Sequence, residues 1–88
     1  MNRSEILDQA KEYITVDRAA THGGAEDSFL TIARFWADYL DTNITREDVC
    51  AMMVLLKVAR IKGNAQHADS WVDIAGYSAL GGEIATGD

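Results

Sequence analysis

The chain has 88 residues and a mass of 9.6 kDa, which is one domain and no more. Its net charge of −6 and pI near 4.7 argue against coating DNA or RNA, because affinity for phosphate backbones comes from clustered cations that displace counterions. A hydrophobic content of 48% against 25% charged residues argues against intrinsic disorder, and the complete absence of proline points to an all-helical chain.

The single cysteine, Cys50, excludes an internal disulfide and fits a reducing compartment. The polar opening MNRSEILDQAKEY does not read as a secretion signal. The longest apolar run, Ala51 to Leu56, is far below the roughly 20 residues of a membrane span. The expectation is one cytoplasmic domain over residues 1–88 that binds neither a nucleic-acid polymer nor a membrane. A chain this short buries only about 60–65% of its unfolded surface, so a homo-oligomer is expected to complete the core.

Ile6, Leu7, Ala10 and Ile14 recur at helical spacing behind Ser4, a candidate cap, and predict a first helix over 4–16. The segment DRAATHGG, from Asp17 to Gly24, breaks the pattern. Phe29, Ile32, Ala33, Trp36 and Leu40 then form a stripe that predicts a helix over 25–40, ended by Asp41-Thr42-Asn43. Thr45 followed by Asp48 approximates a capping box and opens a helix over 46–62, with Gly63 and Asn64 as stop signals. Because Val54, Leu55 and Val58 flank its main stripe of Val49, Met52, Met53, Leu56 and Ala59, this third helix is expected to be central. A fourth helix covers 67–85, and no segment shows the period-two alternation of a strand. Four helices with short connections read as a compact four-helix bundle.

Chemistry belongs where polar residues interrupt apolar faces. Lys57 and Arg60 sit three apart in the third helix, and either snorkel to its edge or face a carboxylate or a ligand phosphate. Asp69, Asp73 and Tyr77 share one face of the fourth helix. Two carboxylates one turn apart can share Mg²⁺; equally, Asp69 can serve the helix dipole while Asp73 pairs with Lys57 or Arg60. His67 stands at a helix start, where histidine is usually a cap or a surface group. Two histidines and one cysteine are too few for structural zinc, and Cys50 reads as core filler. Gly76, Gly81 and Gly82 within a helix call for the close approach of another backbone or a ligand ring, unless Gly81-Gly82 ends the helix early. The loop Arg18–His22–Gly23–Gly24 can offer backbone N–H groups to an anion, although it lacks P-loop spacing.

The block EDVCAMMVLLKVARI…HADSWVDIAGYSALGGEIA, together with the Asp17-Arg18…His22-Gly23 segment, resembles small phage and prophage proteins related to the MazG-like all-α nucleotide pyrophosphatases. That resemblance implies an oligomeric helical bundle whose acidic helices hold Mg²⁺ against a nucleoside triphosphate, in the host cytoplasm. The catalytic pattern it implies is ExxE on one helix and ExxD on the next. Here Glu47 is followed three residues on by Cys50, and Asp73 is preceded three residues earlier by Ser70. Three functions are expected in order. The first is a nucleotide-binding protein with an eroded site that sequesters a nucleotide or a nucleotide defence signal; Arg18, His22, Lys57, Arg60, His67, Asp73, Trp71 and Tyr77 are its candidate ligands. The second is an Mg²⁺-dependent nucleoside triphosphate pyrophosphohydrolase, with Glu47, Asp69 and Asp73 on the metal. The third is a helical protein–protein interaction module.

Overall fold

The computed structural model describes residues 1–17 and 25–87; the side chains of Asp17, Ala25, Glu26 and Asp27 are not described. The described residues form four α-helices and one π-helical turn, with no strand among them. Helix α1 covers Arg3–Glu12 and runs into a π turn over Tyr13–Asp17; α2 covers Ala25–Leu40, α3 Arg46–Gly63 and α4 Ala68–Thr86.

Local chemistry explains most of these bounds. Helix α1 is capped by Asn2 rather than Ser4. The Asn2 side chain accepts from the Glu5 N–H at 2.8 Å, and the Glu5 carboxylate accepts from the Asn2 N–H at 3.0 Å. This reciprocal pair satisfies two donors at once, where Ser4 offers only one hydroxyl. The expected continuation of the helix to residue 16 changes character at Tyr13. The Thr15 hydroxyl donates to the Lys11 carbonyl at 2.6 Å and takes the acceptor that the next turn needs, within a β-branched run Ile14-Thr15-Val16. Such back-bonding loosens an α-helix and favours a π turn.

Thr45 and Asp48 form a complete capping box at the start of α3, at 2.9 and 3.1 Å. Helix α2 ends in a Schellman arrangement: Thr42 N–H reaches the Ala37 carbonyl at 3.1 Å and Asp41 N–H the Asp38 carbonyl at 3.4 Å. Asp41 occupies the left-handed position with φ 52°, where glycine is ordinarily found. Asp41→Gly should raise stability by about 0.5–1 kcal/mol, by relieving left-handed strain and removing a carboxylate from a helix C-terminus. Urea titration checks this; a loss of stability instead would mean that the side chain holds the turn.

Helices α3 and α4 are antiparallel, since Cys50 meets Gly81 while Lys57, seven residues later, meets Asp73, eight residues earlier. Helix α1 and the π turn lie along another side of α4, and α2 packs on α3. Helices α3 and α4 are therefore both inner, each packed on the other and on one outer helix, and small residues of α4 let its neighbours close in. A Cβ on Gly81 would stand 2.9 Å from the Cys50 Cβ, and one on Gly76 would stand 3.2 Å from Ile14 Cγ2. Gly76 and Gly81 thus admit close neighbours, here side-chain atoms, and Gly81-Gly82 does not end the helix: α4 continues to Thr86 and closes on left-handed Gly87. Gly82 has open space around it. Gly82→Ala should therefore stabilise by about 0.5–1 kcal/mol through helix propensity. Gly81→Ala should destabilise by about 1 kcal/mol net, because separating the helices outweighs the same gain. Changes of equal sign in urea melts would contradict the close α3–α4 contact.

The principal core comprises Phe29, Ala33, Val49, Cys50 and Leu80, with Trp36, Met53 and Tyr77 packed at its margin. Ala10 and Val72 are buried elsewhere in the fold. Few side chains are fully enclosed, and the molecule is correspondingly open. Its accessible surface is 6125 Å², against about 5100 Å² for a folded monomer of this mass. Its radius of gyration is 13.5 Å, against about 12 Å for a compact chain of this length.

Candidate functional site

An open groove of about 500 Å³ runs between the N-terminal half of α3 and the C-terminal half of α4. Glu47, Ala51, Val54 and Leu55 line it from α3, and Tyr77, Ser78 and Gly82 from α4. Cys50 and Gly81 form its floor, and their tight contact brings the two walls together. The lining is nearly all apolar. Among the described residues it contains no cation, and its carboxylate is the half-buried Glu47 in the first turn of α3.

The residues singled out in the sequence fall mostly outside this groove. Lys57 Nζ lies 2.9 Å from Asp73 Oδ2, with the two side chains 15% and 29% exposed. The alternative in which Asp73 pairs with Lys57 is thus the one the structure adopts. Arg60 is exposed and makes no ion pair with Asp69 among the described residues. His67 occupies the N-cap position of α4 but makes no capping bond through its side chain. Trp71 donates its indole N–H to the Ala65 carbonyl at 2.8 Å and so braces the α3–α4 turn. Tyr77 lies about 120° from Trp71 around the helix and packs against Phe29, with ring centroids 6.3 Å apart. The two aromatics therefore form no common stacking platform. Arg18 and His22 lie outside the described residues.

The proposed Mg²⁺ ligands also separate. Glu47 sits ten residues before Lys57 on α3, so it stands about 15 Å along the helix from the level of Asp73. Asp69 is one turn further away and exposed. Among the described residues no three His, Cys, Asp or Glu side chains gather as a metal site. Ser70, at the position where the resemblance implies an acid, is buried, so a carboxylate there would need a partner inside the packing. The donor set of Glu47, Asp69 and Asp73 does not fit one shared cation.

What sequence reasoning missed is the groove itself. Its signal was the spacing Ala51, Val54, Leu55, Val58, an i, i+3, i+4, i+7 stripe that reads as core until the packing shows it uncovered. Leu55 is 66% exposed and Val58 48%. On α2, Phe35 and Tyr39 are 70% and 89% exposed. No helix among the described residues is long and apolar enough to cross a membrane.

Comparison with known proteins finds this chain similar to phage proteins. The chain is 43% identical over 76 residues to the Gene 55 protein of Mycobacterium phage L5, covering 85% of this chain and 49% of that protein. It is 38% identical over 73 residues to the Gene 55 protein of Mycobacterium phage D29, covering 83% and 48%. The chain thus spans about half the length of these relatives. No solved structure matches it. Residues 5–85 match the family described as Domain of unknown function (DUF6378), and the chain belongs to that family.

Proposed function

We propose that the chain is a helical protein–protein interaction module of phage type that works through the uncovered apolar side of α3. One observation carries this reading: the groove and the stripe beside it expose Ala51, Leu55 and Val58 while, among the described residues, no cation lines the groove. An apolar concavity of this kind suits another side chain or helix better than a polyanion, which needs paired cations to offset its desolvation. The nucleotide readings draw less support. Of their candidate cations, Lys57 is already held by Asp73, and Arg60 is exposed and lines no part of the groove.

A photo-crosslinking amino acid at Leu55, with a control at Asp8 of α1, tests the reading in cells. Adducts with an identified protein are expected from position 55 and not from position 8. A thermal-shift screen of the purified chain with linear and cyclic nucleotides is expected to leave Tm unchanged. A nucleotide at 100 times its Kd would add about 2.7 kcal/mol of stability. Such a shift, with no adduct at position 55, would overturn the interaction reading in favour of a MazG-like nucleotide site.

A further inference from the structure

The exposed stripe of α3 has a symmetry that names its occupant. Glu47, Ala51, Val54, Leu55, Val58 and Lys62 lie along one side of the helix, about 22 Å from end to end. The pairs 47 and 62, 51 and 58, and 54 and 55 are each equidistant from the point midway between residues 54 and 55. A second α3 laid antiparallel across that point therefore meets apolar residue with apolar residue along the middle, and Glu47 with Lys62 at both ends. A parallel copy would set Glu47 against Glu47 and Lys62 against Lys62.

We infer that the chain forms a homodimer whose two-fold axis crosses α3 between Val54 and Leu55, so that the Ala51–Val58 stripe pairs with itself, clamped by two Glu47–Lys62 contacts; this rests on the interaction-module reading above. Such an interface is isologous, the form that closes after two copies. Among the described residues neither Glu47 nor Lys62 makes an ion pair within its own chain, so both charges are available across the axis. The acid lies in the first turn of α3 and the base in its last, so each already sits at the helix end that favours it. Antiparallel docking keeps that arrangement and adds the intermolecular attraction. Area agrees as well. The chain exposes about 1000 Å² more than a monomer of its mass should, and a standard interface covers about 800 Å² per partner. Gly82 leaves open space on the far wall of the groove, where a side chain of the second copy can enter.

Sedimentation equilibrium of the 88-residue chain should give a mass that rises with concentration towards twice 9.6 kDa. Leu55→Glu should leave the chain monomeric with its circular dichroism unchanged, since Leu55 is mostly outside the fold. Glu47→Lys and Lys62→Glu should each weaken self-association roughly tenfold at low salt, because each sets like charges together at both ends. Mixing those two variants should restore pairing as a heterodimer, because both ends again match. A chain that stays monomeric at every concentration, a dimer indifferent to Leu55→Glu, or a mixture that fails to pair would each overturn the inference. If the monomeric chain still forms Leu55 adducts with a different protein in cells, the second copy is wrong while the interaction-module reading stands.

Discussion

Phe29→Ala should unfold the chain, or nearly so. Phe29 is 1% exposed, one of the largest fully enclosed side chains, and it joins α2 to the α3–α4 pair through Val49, Leu80 and the ring of Tyr77. Removing a buried aromatic ring costs about 3–5 kcal/mol in transfer and cavity terms. Small domains have total stabilities near the lower end of about 5–15 kcal/mol. At about 4–8 °C per kcal/mol, the fall in Tm should exceed roughly 10 °C. Phe29→Leu, which keeps most of the apolar volume, should lose about 1–2 kcal/mol. The measurement is thermal unfolding at one fixed chain concentration, because the inferred self-association would make Tm concentration-dependent. A Phe29→Ala chain that melts with the parent would show that α2 contributes little to the cooperative unit.

The thinness of the core that makes Phe29 so influential also leaves α3 uncovered. Apolar residues ring α3 on most sides, yet among the described residues only the faces towards α2 and α4 are used. Val49 and Cys50 are enclosed, while Met52, Leu55, Leu56 and Val58 are not. This apolar surplus is what the proposed interaction would cover. The same argument ties the glycines of α4 to the groove. The helices must touch at Cys50–Gly81 for their flanks to diverge into a concavity on the outer side.

Helix positions were legible in the sequence because apolar spacing and caps are local signals. Thr45–Asp48 and the stripe of Phe29, Ile32, Ala33 and Trp36 each lie within a few turns of chain. The Asn2 cap and the π turn were less legible, since each depends on which of two competing local hydrogen bonds forms. That α4 shares the inner position with α3 could not be read at all. A periodic pattern says that a helix has an apolar face, not which neighbour covers it, and the wide apolar girth of α3 looked like burial. The candidate site suffered most from this. Lys57 and Asp73 do meet, but Trp71 and Tyr77 point apart and Glu47 lies a helix half-length from Asp73. The separation of Trp71 and Tyr77 follows from their six-residue spacing on one helix, whereas the Lys57–Asp73 contact and the distance to Glu47 depend on the antiparallel offset of α3 and α4, which the Cys50–Gly81 contact fixes.

The Lys57–Asp73 pair supplies the second large expected effect and decides what the pair is for. With Lys57 only 15% exposed, Asp73→Ala leaves an ammonium group largely shielded from water with no partner. A fully buried pair broken this way costs about 3–5 kcal/mol; partial exposure reduces that to about 2 kcal/mol. Lys57→Met should lose only about 1 kcal/mol, because the aliphatic stem still packs and Asp73, the more exposed partner, keeps more of its hydration. The double variant Lys57→Met/Asp73→Ala should lose less than the sum, leaving a coupling energy of about 1 kcal/mol in a double-mutant cycle. Inorganic triphosphate added to the Asp73→Ala chain distinguishes a structural pair from a masked phosphate site. A structural pair leaves the lost stability unrestored at every triphosphate concentration. Recovery of Tm by triphosphate, abolished again by Lys57→Met, would mark Lys57 as a phosphate ligand held in check by Asp73.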